Sequence, residues 1–303
     1  MNNFYSPLRY PGGKNKLAPF IAKVCLDNSI RDNYIEPYSG GASVALSLLL
    51  DGIVENIIIN DKDRSIYALW HSILHHNTEF CQRIADCDLS ITNWNIQRNI
   101  QLNKKHARLL DLGFSTFFLN RTNRSGIING GVIGGINQNG KYKLDCRFNR
   151  EELIKRIQAI GSKKKHIKLY SKDAIKLLSL LLNRNLINKN SLLYFDPPYY
   201  IKGPSLYMNH YNKEDHILVK NAITSLSLGK WIVSYDSVEE IRILYANYPS
   251  IEYTLNHSAY STKAGKEILF FCHELDVIDL TRNPSKYKFI KSEIDKKIIF
   301  KDF

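Results

Sequence analysis

The sequence predicts an α/β protein with a largely parallel sheet, and three observations support this fold class. Short runs made almost entirely of apolar residues recur along the chain, and segments with helical apolar spacing separate them. All-apolar strands of this kind are typical of parallel sheets that helices cover on both faces. A long polar stretch then interrupts the alternation after the second strand, so we expect the sheet domain to carry an insertion.

The predicted elements of the sheet domain fall on both sides of this interruption. Four elements alternate in the N-terminal third: helices at residues 17–26 and 42–50, and strands at residues 33–37 and 57–60. Four further strand-like segments follow the interruption: residues 166–170, 191–195, 231–235 and 268–272. We therefore expect one discontinuous domain formed by residues 1–72 and 161–303.

The interruption, residues 73–160, is expected to form a mainly helical insertion. It begins as a polar helical stretch, becomes rich in Gly and Asn at residues 120–140, and alternates like a strand at residues 142–148. The last two features predict a hairpin and its loops, and a helix is expected over residues 151–160. A connection this long between sheet strands tends to carry function.

Composition and charge indicate which kinds of partner and site the protein has. The formal net charge of +13 over 303 residues favours a polyanion such as nucleic acid, although a coding preference for Lys, Asn and Ile would also produce it. The five scattered cysteines show no C-x-x-C pair, so we expect reduced thiols and no metal site. The longest apolar stretch, residues 42–50, is too short to span a membrane, and no apolar leader is evident. We expect a cytoplasmic protein without a membrane partner.

Two of the predicted strands end in residues suited to bind a nucleoside. The first ends at Glu36 and passes through Gly40 and Gly41 into a helix, a turn that lets backbone approach a ligand closely. The second ends at Asp61, about 20 residues beyond these glycines, where doubly wound folds bind the two hydroxyls of a ribose. A tight turn and a solvated carboxylate are the structural alternatives. Together the residues favour an adenosine-containing ligand.

A third strand ends in the sequence YFDPPYY. Two consecutive prolines, Pro197 and Pro198, fix the backbone and supply no N–H donors, so nearby carbonyls are rigidly oriented. The Asp196 carboxylate accepts hydrogen bonds, and beside such a carbonyl it can receive an NH₂ group. Tyr199 offers a flat face for a planar base. The alternative is a strand that two prolines terminate.

Two further stretches are weaker candidates. The N-terminal YSPLRYPGGKNK would present Tyr10 and Lys14 from a glycine turn. Within the insertion, FFLNRTNRSGII contains side chains of the types that read base edges, and a solvated polar loop is the alternative. We take four of them as candidate DNA contacts: Asn120, Arg121, Asn123 and Arg124.

In this order along the chain, the motifs resemble those of the N6-adenine-specific DNA methyltransferases of the Dam/DpnII type, also called the D12 class or α group. RYPGGK is similar to the N-terminal cofactor motif, IEPYSGGAS to the glycine motif, IIINDKD to the acidic strand end, LYSKDA to a motif with a further acid, and YFDPPYY to the catalytic motif. The resemblance covers almost the whole chain. It implies a Rossmann-like methyltransferase sheet with an inserted target-recognition domain.

The resemblance also implies roles for the residues at matching positions. S-adenosylmethionine would be the cofactor, and double-stranded DNA the substrate, with the target adenine flipped out of the duplex. The implied catalytic residues are Asp196, Pro197, Pro198 and Tyr199. The implied cofactor contacts are Tyr10, Lys14, Glu36, Gly40, Gly41, Asp61, Asp173 and Asp196.

Several alternatives stay open at this point. The chain continues IINGGVIGG after Ser125 and Gly126, where GATC-specific members carry a base-reading arginine, so no GATC specificity is predicted. The rival functions are rRNA guanine-N2 methylation, N4-cytosine methylation of DNA, and a catalytically inactive DNA-binding module. We also expect a restriction-modification, phage or orphan role. A cognate restriction endonuclease is a possible partner, and the expected state is a monomer or a weak dimer.

Overall fold

The computed structural model describes residues 4–9, 13–200, 211–255, 265–277 and 298–300. Within these ranges eight strands form one sheet, in the order β3-β2-β1-β4-β5-β7-β6-β8. The strands are β1 (Asn33–Glu36), β2 (Asn56–Asn60), β3 (Ile167–Tyr170), β4 (Ser191–Phe195), β5 (Lys230–Asp236), β6 (Ser250–Leu255), β7 (Gly265–Phe271) and β8 (Ile298–Phe300).

The first five strands are parallel, as the all-apolar runs predict. β1 pairs with β2 on one side and with β4 on the other. The strands that follow β1 are added on one side of it as far as β3, and β4 and β5 are added on the other side, so the strand order reverses between β1 and β4. β7 lies antiparallel between β5 and β6. In open α/β sheets, ligands bind beyond the carboxyl ends of the strands at such a reversal. The topology therefore places the candidate site above the ends of β1 and β4.

The helices within these ranges fall into two groups. Five belong to the sheet domain: α1 (Ala18–Asp27), α2 (Ser43–Leu50), α8 (Ala174–Asn183), α9 (Lys213–Thr224) and α10 (Glu239–Leu244). Five lie between β2 and β3: α3 (Arg64–His75), α4 (Asn77–Asp86), α5 (Ile91–Leu102), α6 (Leu109–Thr122) and α7 (Arg150–Ser162). None of these helices has the length and apolar character needed to cross a bilayer.

The segment between β2 and β3 is mainly helical, as expected. Helix α6 packs against α3 and α5, and α4 packs against α7. Phe117 and Phe118 of α6 meet the ring of Phe148, with ring centroids 5.4 and 5.8 Å apart. The predicted boundary between residues 72 and 73 falls inside the continuous helix α3. These helices share one core with the sheet domain.

The strand predicted over residues 142–148 is wrong. These residues form turns, and the hairpin expected near them is limited to one antiparallel bridge between Asn123 and Val132. Leu144 and Phe148 are buried but Cys146 between them is exposed, which breaks the alternation of a half-buried strand. The Gln138 side chain fixes the loop, because its Oε1 accepts from Leu144 N (2.9 Å) and its Nε2 donates to Ile133 O (2.8 Å).

Candidate functional site

A cleft lies beyond the carboxyl ends of the parallel strands. Segments that follow β1, β2, β3 and β4 line it, together with the glycine turn before α1 and one residue before α9. Its lining includes Gly13, Lys14, Glu36, Ser39, Gly40, Gly41, Asp61, Lys172, Ala174, Tyr194, Asp196, Pro198 and Tyr211. The fold thus brings together residues that are as far apart in sequence as Gly13 and Tyr211.

The turn after β1 is tight and internally bonded. Gly40 and Ala42 have positive φ angles of 45° and 46°, which only glycine adopts without strain. Glu36 is buried, and its Oε1 accepts a hydrogen bond from Ala45 N of α2 (3.1 Å). Burial raises the pKa of Glu36 to about 8, and the bond from Ala45 opposes this rise. Glu36, the last residue of β1, is therefore a carboxyl group with a raised pKa that is bonded to the first turn of α2.

Asp61 ties the turn after β2 to the glycine turn. Its Oδ2 accepts from Gly40 N (3.0 Å) and its Oδ1 from Asp63 N (2.9 Å). Burial raises the pKa of Asp61 to about 7, and the negative charge of Asp63 adds to the rise. A carboxylate has about four acceptor positions, so each oxygen keeps capacity for one more donor.

Asn60 holds the turns after β1 and β3 in place, and the sequence reasoning missed it. Its Nδ2 donates to Pro37 O and Lys172 O (both 2.9 Å), and its Oδ1 accepts from Lys172 N (2.8 Å). Asn60 is 1% exposed. A polar residue that ends an all-apolar strand was the available signal, because a buried amide needs local partners.

The structure gives Asp173 a structural contact at the rim of the cleft. Its Oδ1 accepts from Ile175 N (3.1 Å) and so caps the N-terminus of α8. Its Oδ2 lies 3.6 Å from Lys62 Nζ. The neighbours Lys172 and Ala174 line the cleft. The predicted cofactor contact Tyr10 lies outside the described residues.

Asp196 follows β4 and carries two contacts on one oxygen. Its Oδ1 accepts from Ser234 Oγ (2.8 Å) and lies 3.2 Å from Lys14 Nζ. Burial raises the pKa of Asp196, and the Lys14 charge opposes this rise. The Asp196 side chain is 18% exposed, and within the described part of the chain no partner contacts Oδ2. That oxygen is available to a donor in the cleft.

Tyr199 is more enclosed than a stacking surface would be. It is 5% exposed, and Lys14 Nζ lies 4.9 Å from the centre of its ring. The Tyr199 hydroxyl accepts from Lys14 and donates to Glu267 Oε1 (2.7 Å) on β7. Glu267 also accepts from the Tyr253 hydroxyl (2.5 Å). Sequence reasoning missed Glu267, because its strand is antiparallel and distant from the motifs in the chain.

The four candidate DNA contacts occupy different environments. Asn120 is buried, and its amide bonds both backbone groups of Arg9 (2.8 and 3.1 Å). Asn123 is buried, and its Oδ1 accepts from the Trp94 indole N–H (2.6 Å). Both amides therefore hold the loop together.

The two arginines of this group differ in exposure. Arg121 Nε donates to Arg147 O (2.8 Å). Burial, together with the neighbouring guanidinium groups of Arg9, Arg156 and Arg147, lowers the pKa of Arg121 to about 9. Arg124 is exposed. Among the four, the Arg124 side chain is the most accessible to a large partner.

Gly126 joins this loop to the N-terminal segment, and we expect its replacement by alanine to destabilise the protein. Its φ is +75°, and a Cβ atom there would lie 2.0 Å from Arg9 O. Positive φ and overlap with backbone together should lower the free energy of unfolding by about 2–4 kcal/mol. Urea unfolding measures this. Gly131→Ala is the matched control, because a Cβ there meets nothing within 4 Å. Equal stabilities of the two variants would contradict the expectation.

Searches among solved structures return distant likenesses. The rRNA methyltransferase aviRa from Streptomyces viridochromogenes is 13% identical, with a TM-score of 0.38 and 89% of each chain covered. Protein LPL1258 from Legionella pneumophila is 14% identical, with a TM-score of 0.35, 99% of this chain and 97% of that chain covered. Scores this low carry no argument about function. No curated protein matches the chain in sequence.

The chain also matches the model of a protein family over most of its length. The model of the D12 class N6 adenine-specific DNA methyltransferases matches residues 10–260. This span contains the glycine turn after β1, the Asp61 turn, the helical segment between β2 and β3, and the Asp196 turn. The sheet order and the cleft agree with a Rossmann-like methyltransferase fold. The chain therefore belongs to the D12 class of N6 adenine-specific DNA methyltransferases, enzymes that transfer a methyl group from S-adenosylmethionine to adenine in DNA.

Proposed function

We propose that the chain methylates adenine at specific sites in double-stranded DNA, with the cofactor at the ends of β1 and β2 and the target base at the Asp196 turn. The observation that carries this proposal is that Asp196 Oδ2 and the Asp61 turn share one cleft. A methyl donor and its acceptor must meet within a few ångströms for transfer.

The residues at the ends of β1 and β2 fit S-adenosylmethionine. Each oxygen of Asp61 keeps one acceptor position, which suits the two hydroxyls of a ribose. The Ser39 hydroxyl is buried and has no hydrogen-bond partner in the described ranges, so a polar ligand in the cleft would satisfy it. Gly40 and Gly41 allow close approach of the backbone. We assign Asp61, Gly40, Gly41 and Glu36 to this pocket, with Lys14 and Asp196 at its inner end.

The Asp196 turn fits an amine acceptor. When bound, S-adenosylmethionine supplies an electrophilic methyl group. Asp196 Oδ2 would accept one proton of the adenine N6 amine in a hydrogen bond, and the Pro197 carbonyl the other. These two bonds draw the nitrogen lone pair out of conjugation with the ring and orient it. Pro197 and Pro198 keep the turn rigid, so the two acceptor groups are already oriented before the adenine binds.

Tyr199 has a supporting part in this proposal. An adenine inside a duplex cannot reach the cleft, so it must be flipped out. With its ring enclosed and its hydroxyl bonded to Lys14 and Glu267, Tyr199 would form the floor of the base pocket next to Asp196. For the adenine to stack on the Tyr199 ring, this ring would have to become more exposed than the 5% it shows here.

We assign target recognition to residues 73–160, with Arg124 as a direct DNA contact. Arg124 is exposed and lies on the loop whose backbone Asn120 and Asn123 stabilise. Arginine is suited both to phosphate and to the guanine edge. Asn120 and Asn123 would act through the shape of the loop. The bond between Asn120 and Arg9 connects this loop to the N-terminal segment that leads into the cleft.

The subtype and biological setting are further parts of the proposal. The order of the motifs supports the Dam/DpnII type, and the methylated sequence itself would identify the recognition site. The net charge of +13 supports a DNA partner. A restriction-modification, phage or orphan role and a partner endonuclease are outcomes that the genomic neighbourhood and the methylated sequence would decide.

Methylation-sensitive long-read sequencing of DNA from a host expressing the chain tests the function. We expect N6-methyladenine at one short sequence that is unmethylated without the chain. Nucleoside analysis of the same DNA distinguishes N6-methyladenine from N4-methylcytosine. Radiolabelled methyl transfer to duplex DNA but not to rRNA would exclude the guanine-N2 alternative. Binding of DNA without cofactor binding or transfer would instead identify an inactive DNA-binding module.

A further inference from the structure

Next to the residues that line the cleft lies a further buried carboxylate, which the proposed mechanism does not use. Glu267 of β7 is 2% exposed, and its Oε2 lies 3.4 Å from Lys14 Nζ. The same Nζ lies 3.2 Å from Asp196 Oδ1. Lys14 itself is 4% exposed. One buried ammonium group is thus shared between two carboxylates, one of which is the proposed acceptor for the target amine.

We propose that Glu267 is a positioning residue for methyl transfer, which acts through Lys14 and Tyr199 to keep Asp196 a strong hydrogen-bond acceptor. The inference rests on the role of Asp196 in the proposed function. Two hydrogen bonds and an ion pair fix the Glu267 carboxylate: those from Tyr199 and Tyr253 and the pair with Lys14. Its orientation is therefore built into the core.

The physical argument is one of competition for a single positive charge. A lysine that faced Asp196 alone would form a full ion pair with it and weaken its hydrogen bond to an incoming amine. Glu267 also forms an ion pair with Lys14, so the positive charge of Lys14 is not directed at Asp196 alone. It also fixes Tyr199, whose hydroxyl accepts from Lys14, so that Nζ cannot turn entirely toward Asp196.

The charges around Asp196 agree with this assignment. Lys14 lowers the pKa of Asp196, and the negative charge of Glu267 raises it. The charged groups and phenols that face Asp196 from the surrounding elements are Lys14, Glu36, Tyr194, Tyr235, Tyr253 and Glu267. Replacement of Glu267 by glutamine keeps the size of the side chain, removes its charge and replaces one of its two acceptor oxygens by an NH₂ donor.

The test is the single-turnover rate of methyl transfer to unmethylated plasmid DNA as a function of pH, with enzyme and cofactor in excess. For Glu267→Gln we expect a rate roughly tenfold lower near neutral pH, with the acid limb of the profile moved to lower pH. The affinities for cofactor and DNA should stay within about twofold of wild type, since the change affects the reacting geometry. Glu274→Gln, which changes an exposed carboxylate in the turn after β7, is the matched control.

A structural role would give a different result. If Glu267→Gln only lowered the melting temperature and left the acid limb in place, the inference would be wrong. Should this variant fail to fold, Glu267→Asp is the second test, because it retains the charge but withdraws it from Lys14; an unchanged acid limb there would also refute the inference. Full activity of Asp196→Ala would instead refute the proposed function itself, so the two failures are distinguishable.

Discussion

Replacement of Asp196 by alanine is expected to lower the rate of methyl transfer by about 10²–10³-fold or more, since it removes the acceptor proposed for the target amine. Asp196 lines the cleft, and its Oδ1 is held by Ser234 and Lys14. The loss should appear in kcat and in kcat/KM alike, because the hydrogen bond strengthens as the amine gains positive charge in the transition state.

The protein should fold despite this change. Removal of Asp196 leaves Lys14 paired with Glu267, so no buried charge is stranded. Filter binding and thermal unfolding should therefore give a DNA affinity and a melting temperature near those of wild type. Asp276→Ala, an exposed aspartate, serves as the matched control for the substitution itself. Retention of wild-type activity by Asp196→Ala would remove the residue from the mechanism.

The sequence predicts the parts of the fold and site that local chemistry determines. Short strand-like segments, most of them rich in apolar residues, identified five parallel strands, and the residues at the ends of these strands meet in one cleft because parallel strands share their carboxyl edge. Glu36, Asp61 and Asp196 could be selected in this way without a structure. The antiparallel β6 was missed although its sequence, SIEYTL, alternates strictly between polar and apolar residues, which is the pattern of a half-buried strand.

Tertiary partners decide the rest. Asn120 and Asn123 have the residue type of a base-reading side chain, but their amides are bonded to Arg9, Gly126, Trp94 and Ile127. No local pattern distinguishes an amide that binds DNA from one that holds a loop. Glu267 shows the converse case: it lies 68 residues beyond Tyr199 in the chain and contacts Tyr199 and Lys14 only because β7 returns next to β5.

Replacement of Asp61 by asparagine tests the proposed contact between this carboxylate and the ribose of the cofactor. Asp61→Asn is expected to weaken S-adenosylmethionine binding by on the order of 100-fold, ~3 kcal/mol, through loss of two charge-assisted hydrogen bonds from the ribose. The amide would also turn an NH₂ group toward Gly40 N or Asp63 N, both of which are donors. Isothermal titration calorimetry measures the change. Asp276→Asn is the matched control, because Asp276 is exposed and does not line the cleft.

The pH dependence of binding follows from the same carboxylate. Burial raises the pKa of Asp61 to about 7, and ribose hydroxyls donate best to its ionised form. Cofactor binding must then expel a proton below this pH, so wild-type affinity should fall roughly tenfold between pH 8 and pH 6. Asp61→Asn should lose this slope. If the slope persists, the titrating group is Glu36, whose pKa burial raises to about 8, and Glu36→Gln would then abolish it.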